Sequence, residues 1–149
     1  MSVVLAGLAT LPVVAQEPES NYGQFTLDAQ KRAVVTGMTG GSTSLPAITA
    51  NSDRWGHPCL GFADPQPDHV MQLDQPVQQL TLQVNSNDNE TTLVIVGPNG
   101  DVRCNDDAAP GTKDAGFSAA DWPAGIYQIW VGGMVPGARH NYRLLIQAD

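Results

Sequence analysis

The stretch VQQLTLQVNSNDNETTLVIVGPNGDVRCNDD, residues 77–107, decides the fold class. In VQQLTLQV, Leu80, Leu82 and Val84 alternate with Gln79, Thr81 and Gln83. That is the period of a strand with one face in a core and one toward solvent. NSNDNE (85–90) has the composition of a turn. TTLVIV (91–96) is rich in β-branched residues with no polar alternation, the pattern of a fully buried strand. GPNG (97–100) is a second turn, and DVRCNDDAAP (101–110) reads as a loop that sets Cys104 beside Asn105, Asp106 and Asp107.

The same grammar extends outward. YGQFTLD (22–28) places Phe25 and Leu27 on one side, and RAVVTGM (32–38) is a second β-prone run. DHVMQLD (68–74) aligns His69, Met71 and Leu73. GIYQIWV (125–131) aligns Tyr127, Ile129 and Val131, with Ile126 and Trp130 opposite. NYRLLIQ (141–147) aligns Tyr142, Leu144 and Ile146. No stretch keeps helical period for more than a turn or two, and 15 glycines and 11 prolines punctuate the chain too often for long helices. Short strands separated by turns predict an all-β, antiparallel β-sandwich. Residues 39–67 form a long connection without period, which needs a clamp or a function.

Of the 149 residues, 7 are Lys or Arg and 15 Asp or Glu, for a net charge of -8. Such a surface repels nucleic acid and anionic lipid. Residues 1–15 carry no charged side chain and end in Val13-Val14-Ala15, which suits signal-peptide cleavage although a basic start is missing. The alternative is a buried N-terminal strand. Residues 1–15 are thus read as a signal peptide, 16–21 as a flexible lead-in and 22–149 as one sandwich domain, secreted or periplasmic. No apolar run is long enough for a transmembrane anchor. In an exported chain two cysteines, Cys59 and Cys104, default to one disulfide. It would close a loop of about 46 residues, worth ~3–4 kcal/mol in chain entropy, and would clamp the long connection.

Asn105, Asp106 and Asp107 offer oxygens of the kind calcium takes, with Asp88, Asn89, Glu90 and Asp101 on neighbouring turns and Asp53 a weaker donor. The competing reading is a turn in which Asn and Asp cap their own backbone. His57, His69 and His140 show no metal-ligand spacing, and no nucleophile motif is present. Trp55 and Trp122 read as loop residues, candidates for contacting a glycan or an extended chain, while Trp130 reads as a strand residue. The competing reading has all three covering hydrophobic edges of the sandwich.

Five segments in order, HPCLGFADPQPDHVMQL (57–73), VQQLTLQV (77–84), NETTLVIVGPNGDVRCNDD (89–107), PAGIYQIWVGG (123–133) and YRLLIQ (142–147), carry a resemblance. Over about residues 22–148 the chain resembles the bacterial pre-peptidase C-terminal domain family, related to the collagen-binding domains of secreted collagenases. The resemblance implies a secreted jelly-roll sandwich that acts as an accessory module and not as a catalyst. It also implies calcium, held in some relatives by acidic side chains, for which Asp106 and Asp107 lie closest, with Asp88 and Glu90 beside them. No protease segment accompanies the domain, so a standalone exported form is expected. The leading functional expectation is a non-catalytic binding module contacting protein or polysaccharide outside the cytoplasm. The alternatives are a structural envelope protein and an unrecognised hydrolase.

Overall fold

The computed structural model describes residues 7–12, 18–27 and 31–149. Most of the expected signal peptide, 1–6 and 13–15, lies outside the described residues, and within it Leu8 and Leu11 are exposed. Part of the expected lead-in, residues 16 and 17, is also outside. Its remainder is not free chain. The Asn21 N–H donates to the Pro67 carbonyl and its Nδ2 to Asp68 Oδ1, so this segment is tied to the connection ahead of His69.

Eleven strands are described: β1 (Gln24–Thr26), β2 (Arg32–Met38), β3 (Thr43–Ser44), β4 (Phe62–Ala63), β5 (His69–Leu73), β6 (Val77–Asn85), β7 (Thr91–Val96), β8 (Val102–Asn105), β9 (Gly116–Trp122), β10 (Gly125–Gly133) and β11 (Asn141–Ala148). They form two sheets packed as a sandwich. The four-stranded sheet runs β2-β11-β6-β9. In the seven-stranded sheet, β10 is the hub: it pairs with β5, β7 and β4, β5 pairs with β1, β7 pairs with β8, and β4 pairs with β3.

Between the sheets lie Leu80, Leu82 and Val84 from β6, Leu144 and Ile146 from β11, Tyr127, Ile129 and Val131 from β10, and Leu93 and Ile95 from β7. These are the alternating positions of the sequence. The uninterrupted apolar character of TTLVIV has its cause in a second, smaller core on the outer face of the seven-stranded sheet. There Val94 and Trp130 pack with Leu45, Ala63, Cys59 and Cys104. The long 39–67 connection supplies that cover, through β3, a single helical turn α1 (Leu45–Ile48) and β4. Burial on both faces removes the need for alternation.

The expected all-β sandwich is found, its paired strands antiparallel except for β1, which runs parallel to β5. Two local readings are corrected. Val102–Asn105 is a strand paired to β7 and not a loop, because Cys104 and Arg103 are both buried and their backbone completes the sheet. Gly116–Trp122 is a strand paired to β6. Within it Asp121 takes a left-handed backbone, φ 63°, which shifts the alternation so that Ala119 and Trp122 both turn inward.

Candidate functional site

The loop Asn51–Cys59 is built around one carboxylate. Asp53 has its side chain out of solvent, and four hydrogen bonds converge on it. Oδ1 accepts the N–H groups of Trp55 and His57, each at 2.9 Å. Oδ2 accepts the Cys104 N–H at 3.1 Å and meets the His57 Nδ1 at 3.1 Å. Burial alone would raise its pKa, but the Cys104, His57 and Trp55 hydrogen bonds outweigh burial and hold it below the usual 3.8. The chain turns tightly through Gly56 at φ 84°, a conformation that suits glycine. The Cys59–Cys104 disulfide fastens the loop to β8, and the Arg54 N–H donates to the Val102 carbonyl. This loop therefore covers the outer edge of β8, which would otherwise be open to strand pairing.

Beneath it lies Arg103, 1% exposed. Its Nε donates to Asp101 Oδ2 at 3.0 Å, and one terminal nitrogen donates to the Ala120 carbonyl at 2.9 Å. The other donates to the Asp121 carbonyl. A residue of one sheet is thus bonded to the edge strand of the other. The guanidinium stacks on Trp122, 3.8 Å from its ring centre, and lies 5.4 Å from that of Trp55. Arg54 shares Asp101 at 3.3 Å and lies 5.0 Å from the Trp55 ring centre.

These parts enclose a cleft of about 450 Å³ between the 53–57 loop and β9. Trp55, half exposed, and His57 stand at it, with Asn105, Gln79, Ser118 and Asp121 among the other walls. The two candidate contact residues separate here. Trp55 lines the cleft. Trp122 is a correction: it is 1% exposed, sits in the core against Phe117 and Tyr127, and donates its Nε1–H to the Ala119 carbonyl. It supports the site from beneath through Arg103 and does not reach the surface. Trp130 lies in the second core. Asp53, Arg54, His57 and Arg103 carry the site's geometry, and the sequence reading had no signal that joined them. Only the disulfide hinted that 53–59 and 104 meet.

The calcium donors are differently employed. Asn105 Oδ1 accepts the N–H groups of Asp106 and Asp107, and its Nδ2 donates to the Gly116 carbonyl. Asp88 Oδ1 accepts the Lys113 N–H. Among the described residues no three His, Cys, Asp or Glu side chains converge as metal ligands. Asn105 works as a cap on this turn.

His57 is the other group with chemical potential. Its ring is positioned by Asp53 through Nδ1, but among the described residues Nε2 makes no hydrogen bond to a hydroxyl or thiol. Ser118 lines the same cleft, and its Oγ accepts hydrogen bonds from Gln79 and Thr81.

A second buried polar group lies between the sheets. His69, wholly buried, shares a 2.9 Å hydrogen bond through Nε2 with the Tyr142 hydroxyl, and its Nδ1 has no partner. A methyl group on Gly37 would overlap that hydroxyl, so β2 needs glycine there. Burial pushes the His69 pKa down to about 4. Burial pushes neighbouring Asp68 up to about 6, against the Val131 N–H and Asn21 Nδ2 bonds that lower it. Tyr22 and Asp64 are the other titratable groups around this pair, and burial raises the Tyr142 phenol.

The two shifts oppose each other in stability. Below pH 6.5 the unfolded chain protonates His69 and the folded chain resists to about 4, which destabilises the fold on acidification. Below about 6 the folded chain protonates Asp68 and the unfolded chain resists to 3.8, which stabilises it. Asp68→Asn removes the second effect. Its stability relative to wild type then falls by about 1.4 kcal/mol per pH unit from pH 6 toward 4. Urea unfolding across that range measures the difference, and parallel profiles for the two proteins would contradict it.

No family model and no curated protein matches the chain. Among solved structures, the fold is similar to the pre-peptidase C-terminal domain of collagenase from Bacillus anthracis. The TM-score is 0.53 at 10% identity, covering 90% of this chain and 100% of that one. A periplasmic inhibitor of g-type lysozyme from Aeromonas hydrophila aligns with a TM-score of 0.46 at 13% identity, over 88% of this chain and 100% of that one. The first of these bears out the sandwich architecture at the level of fold.

Proposed function

We propose that the chain is a non-catalytic binding module that works outside the cytoplasm, secreted or periplasmic, and contacts a protein or polysaccharide through the Trp55 cleft. One observation carries the reading. A large aromatic is held half exposed on a loop immobilised by a disulfide and by four hydrogen bonds to one carboxylate. Ordering this loop in advance lowers the entropy cost of binding, and a flat amphipathic ring beside amide, hydroxyl and charged groups suits both sugars and extended chains. The disulfide supports an oxidising compartment, and the uncharged apolar segment 1–15 supports export. The fold shared with a collagenase's accessory domain fits the same reading.

Calcium is a separate proposal from the cleft: Asp106, Asp107, Asp88 and Glu90 offer carboxylates on neighbouring turns. A calcium-dependent rise in Tm of chelator-treated protein would support it, and an unchanged Tm would count against it.

The test compares oxidised wild type with Trp55→Ala on panels of immobilised glycans and peptides. The variant is expected to lose the wild-type hits while its stability falls by about 1–2 kcal/mol at most, the scale of a surface substitution that gives up two cation–π contacts. Unchanged hits, or no hits from the wild type, would count against the cleft.

A further inference from the structure

A second surface, independent of the Trp55 cleft, is chemically distinct from the rest of the molecule. On β11 the residues Tyr142, Leu144 and Ile146 point inward, so Asn141 and Arg143 lie on the outer face of the four-stranded sheet. Arg143 is flanked across the sheet by Thr36 on β2 and Asn85 on β6, and Asn141 by Met38. With Asn87, Tyr22 and Arg139 these residues form a groove of about 770 Å³.

Its charge runs against that of the chain. The protein carries -8 net and 7 Lys and Arg in all, yet two of those arginines line this groove and, among the described residues, no Asp or Glu does. Among the described residues, Arg54 and Arg103 are tied to Asp101, whereas Arg139 and Arg143 form no ion pair. Arg139 also borders a smaller hollow lined by Asp64 and Asp68, but neither is ion-paired to it, and Asp68 is buried against the Val131 N–H. Unpaired, exposed guanidiniums on an acidic protein are suited to carboxylates, which they grip through two parallel hydrogen bonds.

The rest of the lining points to a polypeptide. Asn85, Asn87 and Asn141 present amides, whose paired donor and acceptor match the peptide group. Asn85 Oδ1 takes the Asn87 N–H, which leaves its Nδ2 to donate outward. The groove ends at β2, which among the described residues is an edge strand paired with β11. The aromatics of the lining are both engaged: the Tyr22 hydroxyl donates to the Met38 carbonyl and its ring lies against His69, while Tyr142 is buried and bonded to His69. We propose that this groove docks an acidic segment of a partner protein, with Arg139 and Arg143 taking its carboxylates and the asparagine amides its backbone.

The experiment uses the full oxidised chain and a fluorescein-labelled Glu-rich peptide, with its Gln-rich counterpart and polygalacturonate as comparisons, read by anisotropy. The Glu-rich peptide binds saturably and the Gln-rich one does not. Affinity falls with added salt, and on the order of tenfold or more in the Arg139→Gln, Arg143→Gln double variant. An Arg32→Gln, Lys113→Gln control, which removes the same charge elsewhere, binds as wild type. The absence of saturable binding, an equal loss in the charge control, or preferential capture of polygalacturonate would overturn the proposal.

Discussion

Arg103→Ala is expected to lower the stability of the fold by about 3–5 kcal/mol, the range for removing one partner from a buried charged network. Three hydrogen bonds are lost, and the Ala120 and Asp121 carbonyls and part of Asp101 are left without their donor. The indole of Trp122 loses the cation stacked 3.8 Å from its centre, and a cavity opens beneath Trp55. Because Arg103 stands on β8 and its acceptors on β9, the damage falls on the contact between the two sheets at this edge. Arg103→Lys recovers only part of the loss, since a single ammonium cannot span two carbonyls and a carboxylate as the planar fork does. Urea unfolding measures both. An Arg103→Ala protein within 1 kcal/mol of wild type would mean that the inter-sheet bond contributes little.

The second large effect belongs to the disulfide. Cys59 and Cys104 are 45 residues apart in sequence. Replacing both by alanine frees the unfolded chain of a long closed loop, at an expected cost of ~3–4 kcal/mol. The consequence is also local. Without the bond, the Asp53 carboxylate and the Arg54 N–H are less firmly held against Cys104 and Val102, so the edge of β8 opens. Hydrogen exchange of the Cys104 amide should accelerate in the variant more than that of β6 or β11 amides. Uniform acceleration, or a stability loss under 1 kcal/mol, would show that the loop is held by its hydrogen bonds alone.

What was legible in the sequence follows from which strands see one core and which see two. β6 and β11 face solvent on one side, and their alternation survives into the structure residue by residue. β7 could be read because its β-branched run is too apolar for a loop. β8 could not. VRCN is short and holds a charge, and its arginine is buried only because carbonyls from another sheet receive it. β9 was hidden for another reason: after Phe117, SAAD offers only small or polar side chains, and the left-handed Asp121 breaks the period ahead of Trp122. That one residue accounts for the misplacement of Trp122 at the surface.

The candidate site was legible only in fragments. Two cysteines announced a tether, and Trp55 in a loop announced exposure. The joining of Asp53 to Cys104, across 51 positions, and of Arg103 to Ala120 and Asp121, across 17 and 18, is a matter of topology that local pattern does not carry. The Asn-Asp run was legible as a turn, which Asn105 Oδ1 caps, while its composition suits a cation as well.

The central claim is that binding occurs at the Trp55 cleft. Its most direct test is hydrogen–deuterium exchange of the oxidised protein with and without the tightest-binding member of the glycan and peptide panels. The account predicts slowed exchange at residues 53–57 and 117–121, the two walls of the cleft. Slowed exchange elsewhere with those two segments unchanged would contradict it.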